Sequence, residues 1–518
     1  MTVYREATVV DGTGAPGYRA DVRVVDGRIT EIGSIGGGVD AAGLVLAPGF
    51  IDMHAHSDLA LLADPPHTAK VTQGVTCEVL GQDGLSYAPV DDTTLAALRT
   101  QLTGWNGDPD GFDWDWRSVG EYLDRLDRGI AVNAAYLVPH GSVRMLAVGW
   151  EDRVATDAEL ARMREITATA MAEGAFGLSA GLTYTPGMYA DTTELVALCE
   201  VVAAHGGYFA PHHRGYGPVA MDAYAEMVEV SRRSGCPVHL THATLNFPEN
   251  AGRAPELLAL LDSALADGVD LSLDTYPYLS GSTMLAALLP SWAAEGGTDA
   301  TMARLADPAV RPDIKHGMEV LGSDGAHGAR VDWAAFEING SPTRPELVGS
   351  TVADAAARAG VDPFDLFTEV LLADRLGTSC LMHVGHEENV RAIMRHPAHT
   401  GGSDGLLTGR PHPRAWGTFP RYLGHYVREL GVLGLEECVA HLTGRAARRL
   451  GLVDRGVVRV GAVADLVLFD PEAVADRATY AEPRQAAVGI EHVLVNGVPV
   501  VAAGRPTGAT AGGALRNR

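Results

Sequence analysis

Residues 45–58, VLAPGFIDMHAHSD, constrain the fold more than any other stretch of the chain. An apolar run meets Pro48-Gly49, re-enters a short strand at Phe50-Ile51, and ends in His54-Ala55-His56. Side chains on a strand alternate between faces, so His54 and His56 project the same way. Two imidazoles side by side at the C-terminal end of a strand can chelate a metal. Taken alone, such a pair is equally the pattern of two surface histidines. Asp58 in the next loop, and further His and Asp residues at strand-like ends downstream, favour the metal.

Beyond this stretch, strand-like runs alternate with helical patterns. The candidate strands are Phe50 to His54, Thr76 to Leu80, Asn133 to Leu137, Gly177 to Ser179, Tyr208 to Ala210, Val238 to Thr241, Leu271 to Asp274 and His399 to Gly402. Between two of them, Asp157 to Ala172 carries Leu160, Met163, Ile166 and Ala170 near helical spacing. Alternation of this kind predicts an α/β fold, a (β/α)8 TIM barrel over residues 50–440. The interval from Ser280 to about Gly402 is too long for one strand–helix unit. Its helical patterns, Val352 to Ala359 and Asp365 to Ala373, predict an inserted subdomain or lid over about 281–395.

Residues 1–49 and 441–518 have a different character. Short apolar runs are separated by Gly and Asp turns, and Asp26-Gly27 between two such runs is a hairpin signal. Neither end can bury a core alone, so the two are expected to pack into one small β-sandwich. The tail from Gly504 reads as disordered or draped over a neighbour.

The formal net charge of -25 argues against a nucleic-acid partner, which needs clustered Lys and Arg. The five cysteines are widely spaced and none forms a C-x-x-C pair, which excludes a disulfide framework or a four-cysteine zinc site. No run reaches the roughly 18 to 20 apolar residues of a membrane span, and MTVYREATVV is no secretory leader. A soluble cytoplasmic protein is expected, and its oligomeric state is left open.

In a TIM barrel, reactive groups sit where strands end. That criterion selects His54, His56, Asp83, His212, His242 and Asp404 as metal ligands. His140 also ends a strand. His67, His316, His327, His396 and His425 stand in helical or loop contexts and are assigned no role. Asp324 of the other Ser-Asp-Gly string lies in the insertion and is read as a decoy.

Longer motifs narrow the reading. VTQGVTCEVLGQDGLSYAP, GLSAGLTYTPGMYA, YFAPHHRG, PVHLTHATLN, DTYPYLSGSTMLAALLP and GSDGLLTGRPHPRAWGTFPRYLG follow one another in an order that resembles the N-acyl-D-amino-acid deacylases (D-aminoacylases) of the amidohydrolase superfamily. The resemblance implies a barrel with a split β domain and a metal-dependent amide hydrolase acting on a small acylated amino acid. It implies that His54 and His56 share one metal position with Asp404, and that His212 and His242 hold zinc with the residue at position 83. That residue is a cysteine in the family and Asp83 here; Cys77, six residues earlier, is read as core. A carboxylate is harder than a thiolate, so one or two Zn2+ ions are expected, with manganese, cobalt or nickel also compatible.

By the same resemblance, Asp404 is the general base and acid, and Tyr184 polarises the scissile carbonyl. Arg414, Tyr276 and Ser282 bind the substrate carboxylate, where Thr244 replaces the family's lysine. Each has a plainer alternative: Tyr276 and Tyr278 as packing, Arg414 as a bridge to an acidic loop, Ser282 as a helix cap. Other amide chemistry on this scaffold is the competing function. Candidates are a dihydroorotase- or hydantoinase-like ring opening, a dipeptidase, or a cyclising biosynthetic enzyme. Hydantoinase-type sites bridge their metals with a carboxylated lysine, and no lysine stands at a strand end here. A catalytically silent binding homologue is disfavoured by the intact ligand set.

Overall fold

A computed structural model describes residues 1–517. Eight parallel strands form its centre: β1 (Phe50–Asp52), β2 (Val75–Leu80), β3 (Asn133–Pro139), β4 (Gly177–Gly181), β5 (Tyr208–His212), β6 (Val238–Leu240), β7 (Leu271–Thr275) and β8 (His399–Gly401). They pair in chain order, and Met53 N–H donating to Gly401 O at 3.1 Å joins β1 to β8. Nearly every residue in them is buried, as expected of a parallel sheet covered on both faces. The predicted strands coincide with these in position. At the mouth the limits move: β1 stops at Asp52, whose carboxylate takes the His54 N–H at 3.2 Å, while β5 runs on through His212. The helix Asp157–Ala172 has the predicted limits, with a capping box from Thr156 and Glu159.

Both chain ends meet in one nine-stranded sheet, joined where Val45–Pro48 pairs antiparallel with Leu466–Phe469. The expected two layers are thus linked by hydrogen bonds into a single sheet. One of its faces, with Val9, Val22, Leu46, Leu468 and Leu494, closes a core with Val458 and Ala462. The other, with Val45, Val467 and Val493, packs into the barrel core beside Phe50. Asp26 and Gly27 both take positive φ (48° and 78°), the hairpin geometry their dipeptide predicts.

Between β7 and β8 lies a four-stranded antiparallel sheet, from Gly281–Met284, Phe336–Gly340, Ser350–Thr351 and Ser379–Met382, with its own core around Leu285, Phe336, Phe364 and Phe367. The tail corrects the sequence reading. Arg505–Pro506 extends the terminal sheet, Gly512 N–H donates to Ile130 O, and Arg516 pairs with Asp124 and Asp127. The tail therefore lies ordered on this chain's own barrel, because backbone pairing and charge fix a segment whose composition promises neither. No described helix is long and apolar enough to cross a membrane.

Candidate metal centre

His54 and His56 follow β1, Asp83 follows β2, His212 ends β5, His242 follows β6 and Asp404 follows β8. Their side chains converge into two overlapping groups, His54, His56, Asp83 and Asp404, and Asp83, His212 and His242, with the ligand atoms of each group within 4.8 Å of one another. Asp83 sits between the histidine pairs. Its Oδ1 is 3.5 Å from His54 Nε2 and 3.5 Å from His242 Nε2. Its Oδ2 is 3.4 Å from His56 Nε2 and 3.6 Å from His212 Nδ1. Asp404 Oδ1 lies 3.2 Å from His56 Nε2. Each carboxylate oxygen of Asp83 thus faces one histidine of each pair, a placement that suits bridging.

The backbone is strained where it aims these groups. Asp83, His242 and Asp404 all have positive φ (54°, 32° and 49°), which side-chain-bearing residues seldom adopt unless their surroundings enforce it. Asp58 supplies part of that enforcement: its Oδ1 accepts from Gly81 N–H at 2.9 Å and Ser86 Oγ at 2.6 Å, holding the loop that carries Asp83. Asp58 is therefore a brace and not a ligand.

Electrostatics favour the ionised carboxylates. Burial alone would raise the Asp83 carboxyl, but His54 and His242 beside it hold it well below the usual range. Burial acts likewise on Asp404, and Arg414, at 2.9 Å from its Oδ2, reverses the effect with help from His56. His212 is pushed down by burial, which keeps its imidazole neutral, the form that binds metal. The donor set is four imidazoles and two carboxylates, buried, with Asp83 Oδ1 lacking any hydrogen-bond partner among the described residues. A buried unpaired acceptor is costly, and a divalent cation would relieve it, so the residues fit a metal.

Around this centre a cavity is lined by Trp105, Tyr184, Tyr216, Thr244, Tyr276 and Ser282, among others. Tyr184 Oη is 2.9 Å from Thr283 Oγ1, and burial raises its hydroxyl well above its ordinary value. Thr244 Oγ1 donates to Asn246 Oδ1 at 2.9 Å. Ser282 stands in a strand and caps no helix. Arg414 is fully buried beside the cavity, with its guanidinium 4.5 Å over the ring of Tyr276, which lines it. Its Nη2 reaches Asp404, while Nε and Nη1 have no partner among the described residues. The acidic partner foreseen for a bridging Arg414 is thus Asp404 itself.

The other residues singled out in the sequence fall outside the centre. His140 pairs with Glu194 at 2.7 Å. Tyr278 packs on His412, Cys77 is buried among Ile51, Met53 and Val79, and Asp324 accepts from Ser291 N–H. His327 corrects its assignment: it lines the cavity, with its ring 5.9 Å from that of His212.

Two supports were not foreseen. Asp274, inside the barrel on β7, accepts from His242 N–H at 2.9 Å, bonds His239 Nε2 at 3.0 Å and faces His54 Nδ1 at 3.8 Å. Lys70, wholly buried, pairs with Asp52 and Glu78 at 2.6 Å each and donates to Ser403 Oγ at 2.9 Å. Ser403 N–H donates to Asp52 Oδ1 at 2.8 Å, so this network fastens the β8 end beside Asp404 to the β1 end beside His54.

Known proteins match this chain in sequence and in fold over nearly all of its length. D-aminoacylase from Alcaligenes xylosoxydans xylosoxydans is 37% identical over 500 residues, covering 95% of this chain and 93% of that protein. N-acyl-D-glutamate deacylase from the same organism is 37% identical, covering 95% and 92%. The crystal structure of N-acyl-D-glutamate deacylase from Bordetella bronchiseptica, complexed with zinc and a phosphonate mimic of the tetrahedral intermediate, superposes with a TM-score of 0.84 at 35% identity, covering 99% of each chain. The profile described as Amidohydrolase family matches residues 37–501, and the chain belongs to that family.

Proposed function

We propose that the protein is a metal-dependent amide hydrolase that converts N-acyl-D-amino acids to the D-amino acid and a carboxylate. The observation that carries this reading is the convergence of His54, His56, His212 and His242 on Asp83 and Asp404. It occurs in a chain matching D-aminoacylase over 95% of its length. The six groups would hold one or two divalent ions, zinc foremost. When bound, such an ion lowers the pKa of water toward roughly 7 and polarises a carbonyl.

The chain's own groups do the rest. Asp404, ionised and beside the ligand histidines, takes the proton of the attacking water and returns it to the departing amine nitrogen. Tyr184 keeps its phenolic proton and donates it as a hydrogen bond to the oxygen on which negative charge develops. Arg414 presents its unpartnered Nε and Nη1, with Tyr276 and Ser282 alongside, to the substrate α-carboxylate. Fixing that carboxylate while the amide meets Asp404 leaves one configuration at the α-carbon able to react. Neither of the chain's two lysines supports a carboxylated-lysine bridge: Lys70 is held by Asp52 and Glu78, and Lys315 by Asp362.

Hydrolysis of paired N-acetyl and N-formyl D- and L-amino acids by the metal-loaded protein tests the reading. Turnover of the D series alone is expected. Turnover of the L series, or of cyclic amides in preference to both, would replace it.

A further inference from the structure

At the opposite end of the barrel from the metal ligands, a cavity of about 540 Å³ opens beneath the starts of β5 to β8. The helix Gly444–Arg449 forms one wall and contributes Arg445, Arg448 and Arg449, against a single lining carboxylate among the described residues, Asp270. In a chain of net charge -25, three guanidinium groups line this one cavity, of which Arg445 also bonds His441 and lies 3.5 Å from Glu437, a residue outside the lining. Arg449 is held in place, with Nε donating to Ser272 Oγ at 2.7 Å and Nη2 to Asp270 Oδ1 at 2.6 Å. Arg448 is exposed, with no hydrogen-bond or ion-pair partner among the described residues.

A second observation points the same way. Tyr208, on β5, also lines this cavity. It is 3% exposed, and its hydroxyl has no hydrogen-bond partner among the described residues. A buried hydroxyl left unpaired is an unusual expense that an acceptor oxygen from a ligand would remove. The volume falls in the range of small-molecule sites, of order 300–1,000 Å³, and exceeds what one monatomic ion needs.

We propose that this cavity binds a compact anion bearing carboxylate or phosphate groups, gripped by Arg445, Arg448 and Arg449 and accepting a hydrogen bond from Tyr208. The site lies apart from the reaction centre, and it holds whether or not the deacylase reading does. Isothermal titration of the full-length metal-loaded protein with inorganic phosphate, and separately with citrate, tests it. Saturable binding of at least one is expected, and which of the two binds assigns phosphate or carboxylate as the preferred group. Arg448→Ala and Tyr208→Phe should each weaken that binding about tenfold or more, the loss of one charge-assisted or buried contact. Folding and metal content should be unchanged in both. Binding of neither anion overturns the proposal, as does binding that both variants retain in full, which would place the anion at the metal centre instead.

Discussion

Arg414→Ala separates the two roles proposed for one side chain, pairing with Asp404 and binding the substrate carboxylate. Its Nη2 lies 2.9 Å from Asp404 Oδ2, with side-chain exposures of 0% and 11%, so the pair is largely withdrawn from water. Truncating one partner of a buried charge pair costs about 2–5 kcal/mol, part of it from the charge left alone. Arg414 Nε and Nη1 have no partner among the described residues, and a substrate carboxylate would engage them. Thr244, which also lines the cavity, offers only a hydroxyl. The loss on an N-acyl-D-amino acid should therefore be about 30-fold or more in kcat/KM, the lower end of that range at 1.36 kcal/mol per decade. The control is the matching substrate with its α-carboxylate replaced by a neutral amide. That analogue suffers the damage to Asp404 but never used the free guanidinium edge, so its loss should be several-fold smaller. Steady-state kinetics on both substrates read the ratio directly. Equal losses would refute the carboxylate role and leave Arg414 as a support of Asp404 alone.

Other perturbations probe other parts of the centre. Asp404→Asn should keep fold and metal while kcat falls about 100-fold or more, and near-normal kcat would remove Asp404 from the proton transfers. Asp83→Ala should strip metal as measured by elemental analysis, whereas Asp83→Cys should restore it with greater preference for zinc, a thiolate being the softer ligand. Full metal in Asp83→Ala would mean that the carboxylate between the histidine pairs is not a ligand. Lys70→Met leaves Asp52 and Glu78 buried without their shared cation and should lower stability to urea by about 3–5 kcal/mol. Unchanged stability there would show that the network beneath Asp404 is not what fastens β8 to β1.

Much of this architecture was legible in the sequence, for reasons that also explain what was not. The barrel strands are short apolar runs bounded by turns, and the candidate ligands stand at their C-terminal ends, so period and position together pointed to His54, His56, Asp83, His212, His242 and Asp404, which the structure brings together. The supports carry no such mark. Asp274 and His239 lie inside strands, where a polar side chain between apolar neighbours reads as facing outward until barrel closure turns it inward. Lys70 sits in a short helix, and its partners are Asp52 at the end of β1, Glu78 inside β2 and Ser403 just past β8, which only the closed barrel brings together. His327 belongs to the insertion, far in sequence from the metal ligands, and reaches the cavity only because the segment between β7 and β8 folds back over the mouth. The tail failed for the converse reason. Its Gly-rich composition predicts disorder, yet pairing of Gly512 and Ala514 with the barrel and of Arg516 with Asp124 and Asp127 is long-range information that no local window contains.

The central claim is that these six groups hold a metal required for hydrolysis of N-acyl-D-amino acids. The most direct test is to remove metal with a chelator, confirm by circular dichroism that the fold persists, and titrate zinc back while following release of the D-amino acid. An inactive apoprotein is expected, with activity returning in proportion to zinc bound and saturating at one or two equivalents per chain. Full activity in the metal-free protein, or zinc binding without any return of deacylation, would contradict it.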